Sequence, residues 1–115
     1  MPRISKLIGT FTSQEVSTLF KKAKRMRIHP GFDILCAPSD KDFGNILVIT
    51  AGRIGKAHKR NLIRRRIKAI FYEQGLYKHR IDVIVIVKKQ GLELPFEQLT
   101  LLLKKTMSLA GKKNG

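Results

Sequence analysis

Residues 81–87, Ile-Asp-Val-Ile-Val-Ile-Val, are β-branched at nearly every position. Two heavy atoms on Cβ stiffen the side chain and suit a pleated, extended backbone. A near-continuous apolar run of this kind predicts a central strand, covered on both faces or along most of its length. The rest of the chain has to supply that cover.

Upstream lies Ala57-His58-Lys59-Arg60-Asn61-Leu62-Ile63-Arg64-Arg65-Arg66-Ile67-Lys68-Ala69-Ile70-Phe71, which reads as one amphipathic helix. Ile63, Ile67, Ile70 and Phe71 share a face at i, i+4, i+7 and i+8. At about 100° per residue, Arg60, Arg64 and Lys68 form a row along one border of that face. Asn61 and Arg65 continue the polar side, and Lys59 and Arg66 fall on the opposite border. No acid interrupts residues 53–72, so the helix repels itself unless a polyanion lies against it. Its narrow aliphatic stripe suits a sheet. One side is read as fastened to a core and the other as offering cations.

The remaining elements follow from punctuation and period. Thr12-Ser13-Gln14-Glu15 is a capping box, flanked by Phe11 and Val16 at the spacing of a hydrophobic staple. It opens a helix with Val16, Leu19, Phe20 and Ala23 as its apolar face, expected to fade into the basic residues 21–27. Pro30-Gly31 is a break. Phe32, Ile34 and Cys36 alternate with Asp33 and Leu35 as a strand. Residues 38–45 are turn-rich, and residues 46–51 form a second apolar strand, so these two strands are expected to pair as a hairpin. Gly52 and Gly55 precede the basic helix, where close backbone approach and open amides suit an anion. The Gly-Lys-Ser/Thr ending of a P-loop is missing. Gly75 ends the basic helix. Gln90-Gly91 is a turn. Pro95 opens a last helix that buries Phe96, Leu99, Leu102, Leu103 and Met107, with Leu101 and Leu109 widening the stripe. The order α-β-β-α-β-α predicts a two-layer α/β sandwich of the α+β class in one domain, residues 1–115. Residues 1–10 and 111–115 are expected to be flexible basic ends.

The chain has 115 residues and a formal charge of +16, an excess that speaks to partners rather than to fold. Nucleic acid is the leading candidate and an anionic membrane surface the second. No apolar run approaches the roughly 20 residues of a membrane span, and the N-terminus lacks the apolar core of a signal peptide. The single cysteine, Cys36, excludes an internal disulfide and reads as a small buried hydrophobe. A reduced, cytoplasmic protein is expected. The eight acidic residues are scattered. Only Asp40 and Asp42 are grouped, in a turn that reads as a solvated loop. His29, His58 and His79 lack zinc-ligand spacing. No acid/base pair or metal cage for an independent nuclease is in view.

Residues 53–65, Arg-Ile-Gly-Lys-Ala-His-Lys-Arg-Asn-Leu-Ile-Arg-Arg, resemble the signature of the protein subunit of bacterial ribonuclease P, Lys-Ile-Gly-x-Ala-x-x-Arg-Asn-Arg-x-Lys-Arg. The likeness extends outward through Leu19-Phe20, the strand from Phe32, residues 81–87 and Leu94-Pro95-Phe96-Glu97, in family order. Leu62 stands where the family's triplet has its last arginine. Ala51-Gly52 replaces a usual Ser-Lys. Val16 replaces an aromatic, and Leu35 or Cys36 replaces a tyrosine.

This resemblance implies an α/β sandwich with a left-handed βαβ crossover, against the general right-handed rule for such units. It implies binding of a large catalytic RNA through Arg53, Lys56, Lys59, Arg60, Asn61, Arg64, Arg65 and Lys68. It further implies a cleft for the 5′ leader of precursor tRNA at Phe20, Phe32 and Ile34. An aromatic on a helical stripe serves either a core or a stacked base, and the resemblance shifts Phe20 and Phe32 toward the cleft. The protein would assist 5′ maturation of tRNA, with no catalytic residue of its own and no further protein partner. The RNA would carry out the hydrolysis with Mg2+. A structural ribosomal RNA-binding protein fits the composition equally well, and only the Gly-x-Ala-x-x-Arg-Asn motif separates the two. A membrane-surface protein fits less well because the apolar face of the basic helix is aliphatic and narrow, and a helix-turn-helix DNA binder is weaker still because strands bracket that helix.

Overall fold

The computed structural model describes residues 13–39 and 42–114. In chain order these form α1 (Ser13–Lys22), β1 (Lys24–His29), β2 (Phe32–Pro38), β3 (Ile46–Thr50), α2 (Ala57–Glu73), β4 (Ile81–Val87) and α3 (Phe96–Asn114), with short 3-10 turns at Gly52–Ile54, Leu76–His79 and Lys89–Gly91. The expected capping box and staple involve Phe11, Thr12 and the Glu15 and Val16 side chains, which lie outside the description. So do the proposed flexible arm at residues 1–10 and the pairing of Asp40 with Asp42. α3 continues to Asn114, beyond the point where a basic tail was expected to begin.

β4 takes the interior position that its composition demands. The sheet order is β1-β2-β4-β3. β4 runs antiparallel to β2, from Phe32 opposite Val87 to Pro38 opposite Ile81, and parallel to β3, from Ile46 opposite Val83 to Thr50 opposite Val87. The expected hairpin between β2 and β3 therefore does not form. β4 is apolar on both faces and finds backbone partners on both sides by inserting between them. β3, α2 and β4 make the strand-helix-strand crossover. One strand is added to the expected order. Residues 24–29 are not the end of α1 but an edge strand, antiparallel to β2 across the Pro30-Gly31 turn. Met26, 6% exposed, faces Ile34 in the register. The surrounding cations mask the strand pattern in sequence and are what an edge strand uses to resist further pairing.

The main core lies between the sheet and the helix pair α2/α3. Ile63, Ile67, Ile70 and Phe71 are buried there as their spacing predicts, against Leu99, Leu102, Leu103 and Met107 of α3. Phe32, Ile34, Cys36, Ile46, Val48, Val83 and Val85 supply the sheet side. Burial pushes the Cys36 thiol up to about 12, so it behaves as a small neutral hydrophobe. Phe96 and Leu101 do not join this core; they are exposed. Phe96 stands at the first residue of α3, and Leu94 packs against the core margin instead. α2 stops as expected: Gly75 adopts a left-handed backbone (φ 69°), and its N–H donates to the Tyr72 carbonyl.

The opposite face is covered only in part. Leu19 of α1 packs with Leu35, Ala37 and Ile84, while Leu47, Ile49 and Ile86 beside them stay half-buried. One close approach fixes the end of the sheet. The Lys88 N–H donates to the Gly31 carbonyl at 2.8 Å. A Cβ on Gly91 would stand 2.4 Å from that same oxygen and 2.7 Å from the Phe32 ring. Glycine is required there because two backbones pack directly together.

Candidate nucleic-acid interface

α2 begins without a side-chain cap and without an acid in its first turn. Both would be expected of a helix whose N-terminus is stabilised from within the chain. Of the two glycines ahead of it, Gly55 packs closely on Leu92, whereas a Cβ on Gly52 would meet nothing within 4 Å.

Along the outer side of α2, Asn61, Arg64, Arg65 and Lys68 line one open hollow of about 450 Å³. They meet because residues at i, i+3, i+4 and i+7 share a face. An Arg64 Nη2 hydrogen donates to Asn61 Oδ1 at 2.6 Å, which orients the guanidinium. A guanidinium carries five N–H donors in a fixed fork, so one such bond leaves donors for a phosphate. Arg60 does not line the hollow; its Nε donates to the Gly55 carbonyl at 3.1 Å and braces the turn ahead of the helix. Arg53 and Lys56 are exposed on that turn. Lys59 is different. Its Nζ donates to Glu93 Oε1 at 2.7 Å. That hydrogen bond, and then the lysine charge, hold the Glu93 carboxyl below its ordinary range. Lys59 is therefore engaged within the chain, through a partner 34 residues away.

The expected leader cleft needs correction. Phe20 is 41% exposed on α1, as a stacking face requires. Phe32 and Ile34 are each 1% exposed and belong to the core under α2 and α3. Side chains alternate along a strand, so Phe32, Ile34 and Cys36 point away from α1, while Asp33, Leu35 and Ala37 point toward it. The surface beside α1 is built instead from the half-buried Leu47, Ile49 and Ile86. At its polar end stands Asp33, 7% exposed, with Lys88 Nζ at 3.2 Å and Arg25 Nη1 at 4.0 Å. The alternation itself was the available signal for these residues; what it lacks is which face α1 covers.

Among the described residues no three His, Cys, Asp or Glu side chains group as metal ligands. His29 serves its turn, accepting the Gly31 N–H at Nδ1. No helix among the described residues is long and apolar enough to cross a membrane.

The family model described as Ribonuclease P matches residues 8–111. The ribonuclease P protein component of Bacillus pumilus is 31% identical over 87 residues, which is 75% of this chain and 73% of that protein. That of Mycoplasma pneumoniae is 48% identical over 42 residues, a local match spanning 36% of each chain. The ribonuclease P protein of Thermotoga maritima, solved with 1-(4-fluorophenyl)-2-thiourea, superposes with a TM-score of 0.71 at 22% identity, covering 82% of this chain and 92% of that one. At that identity the structural likeness is one of fold.

Proposed function

The chain belongs to the ribonuclease P protein family, and on that premise we propose how it serves a ribonuclease P ribonucleoprotein. The hollow of Asn61, Arg64, Arg65 and Lys68 holds phosphates of the catalytic RNA, with Arg53 and Lys56 extending the contact and Arg60 bracing it. The strip beside α1 takes the 5′ leader of precursor tRNA, with Phe20 as a stacking face. The RNA performs the endonucleolytic hydrolysis in the cytoplasm. The magnesium ions it needs are assigned to the RNA, and no residue of this chain is proposed to hold one.

A single observation carries this reading: four side chains able to bind phosphate converge on one open hollow of a helix that carries no acid before its last residue, Glu73, and is fastened by its other face. Two RNAs brought together accumulate negative charge. Each phosphate neutralised by a fixed guanidinium or ammonium is one fewer for ions to screen. A structural ribosomal role rested on composition alone and is set aside by the family membership.

Binding of the protein to the catalytic RNA, titrated across a salt series, tests the interface. The logarithm of the binding constant should fall linearly with log salt, by about 0.7–0.9 per phosphate contacted. A salt-independent constant would contradict it.

A further inference from the structure

We propose that Asp33 is a positioning residue, which holds Arg25 and Lys88 as a phosphate-gripping pair at the polar end of the strip beside α1. This inference rests on the leader-binding reading above.

β1, β2 and the residue just beyond β4 contribute to the cluster, and register places all three groups on one face. Asp33 lies opposite Ile86 on β4, and Lys88 stands two residues beyond Ile86 on the same parity. Arg25 lies opposite Leu35, which shares the face of Asp33. The Asp33 side chain is 10% exposed, while those of Lys88 and Arg25 are 40% and 50% exposed. The carboxylate therefore sits at the floor with the cations above it, open to solvent. The backbone under Lys88 is fixed by its bond to Gly31, so the ammonium starts from a rigid base.

A carboxylate in a chain of net charge +16 that binds polyanions is an electrostatic liability unless it has a task. Here it can orient two long side chains that otherwise sample many rotamers, and ordering such chains in advance removes that cost from binding. Lysine retains two further ammonium hydrogens and arginine most of its fork for a phosphate.

The two accounts of Asp33 predict opposite signs, which makes Asp33→Asn informative. If Asp33 were only an unfavourable charge, its neutralisation would tighten binding of every anionic ligand. If it positions the pair, the leader grip loosens although the protein has become more positive. The readout is the ratio of affinities of the holoenzyme for precursor tRNA with and without its leader. A general loss of stability or of RNA binding does not move that ratio, and a thermal melt reports the fold. In Asp33→Asn the ratio should fall roughly threefold to tenfold, the effect of losing one or two aligned hydrogen bonds. Lys88→Gln should lower it similarly, and the double variant little further, because the two act as a unit. A ratio that is unchanged or larger in Asp33→Asn overturns the proposal, as do additive losses in the double variant. If Asp33→Asn does not fold, Lys88→Gln decides, and an unchanged ratio there overturns it. A wild-type holoenzyme indifferent to the leader would instead contradict the leader-binding reading itself.

Discussion

Replacing Arg64, Arg65 and Lys68 together by alanine should abolish most of the affinity for the catalytic RNA and leave the domain folded. These side chains share the hollow with Asn61, and none belongs to the core. Losing three phosphate contacts should flatten the salt dependence by about 2–3 logarithmic units per decade of salt. Arg64→Lys and Arg65→Lys should recover only part of the affinity, because an ammonium cannot reproduce the two-bond fork of a guanidinium. A triple variant with the wild-type salt slope would remove α2 from the interface. Filter binding across a salt series, paired with circular dichroism, reads both quantities.

Ile67→Ala should do the reverse. Ile67 is fully buried on the inner face of α2, among side chains of the main core. Truncation removes three carbons and leaves a cavity that packed neighbours fill only partly, at a cost of about 2–5 kcal/mol. For a domain of this size that is a large share of the total stability. Urea unfolding should show the lower midpoint with an unchanged m-value. Below its own transition the variant should still bind RNA. Similar destabilisation by both sets of changes would mean that the two faces of α2 had been assigned wrongly.

Those two faces were legible because a helical period separates them within a single stretch, so no distant partner had to be known. Strand pairing was less so. The segments that became β2 and β3 each carry a strong strand pattern, but that pattern does not encode which neighbour each will take. Insertion of β4 between them is decided by its need for cover on both sides. β1 was hidden because Lys24, Arg25 and Arg27 dominate its sequence, and a buried Met26 is weak evidence within a basic run. The site divided in the same way. Asn61, Arg64, Arg65 and Lys68 meet through local spacing and could be grouped in advance. The engagement of Lys59 by Glu93 depends on the path of the chain between β4 and α3. Phe32 and Ile34 were assigned to the cleft through resemblance, while their parity with the buried Cys36 argued for the core, and the parity was right. Asp33, between a cation from β1 and one just beyond β4, could be recognised only once the sheet order was known.

We have proposed that this protein lends charge and grip to an RNA that does the chemistry. Cleavage of precursor tRNA across a magnesium series by protein alone, RNA alone and the two together tests this. We expect no specific cleavage by purified protein, and a protein-dependent gain that is largest at low magnesium and shrinks as magnesium rises, since ions and fixed cations screen the same phosphates. Specific cleavage by the protein alone, abolished by changing one Asp or Glu, would contradict the account, as would a gain that stays constant at every magnesium concentration.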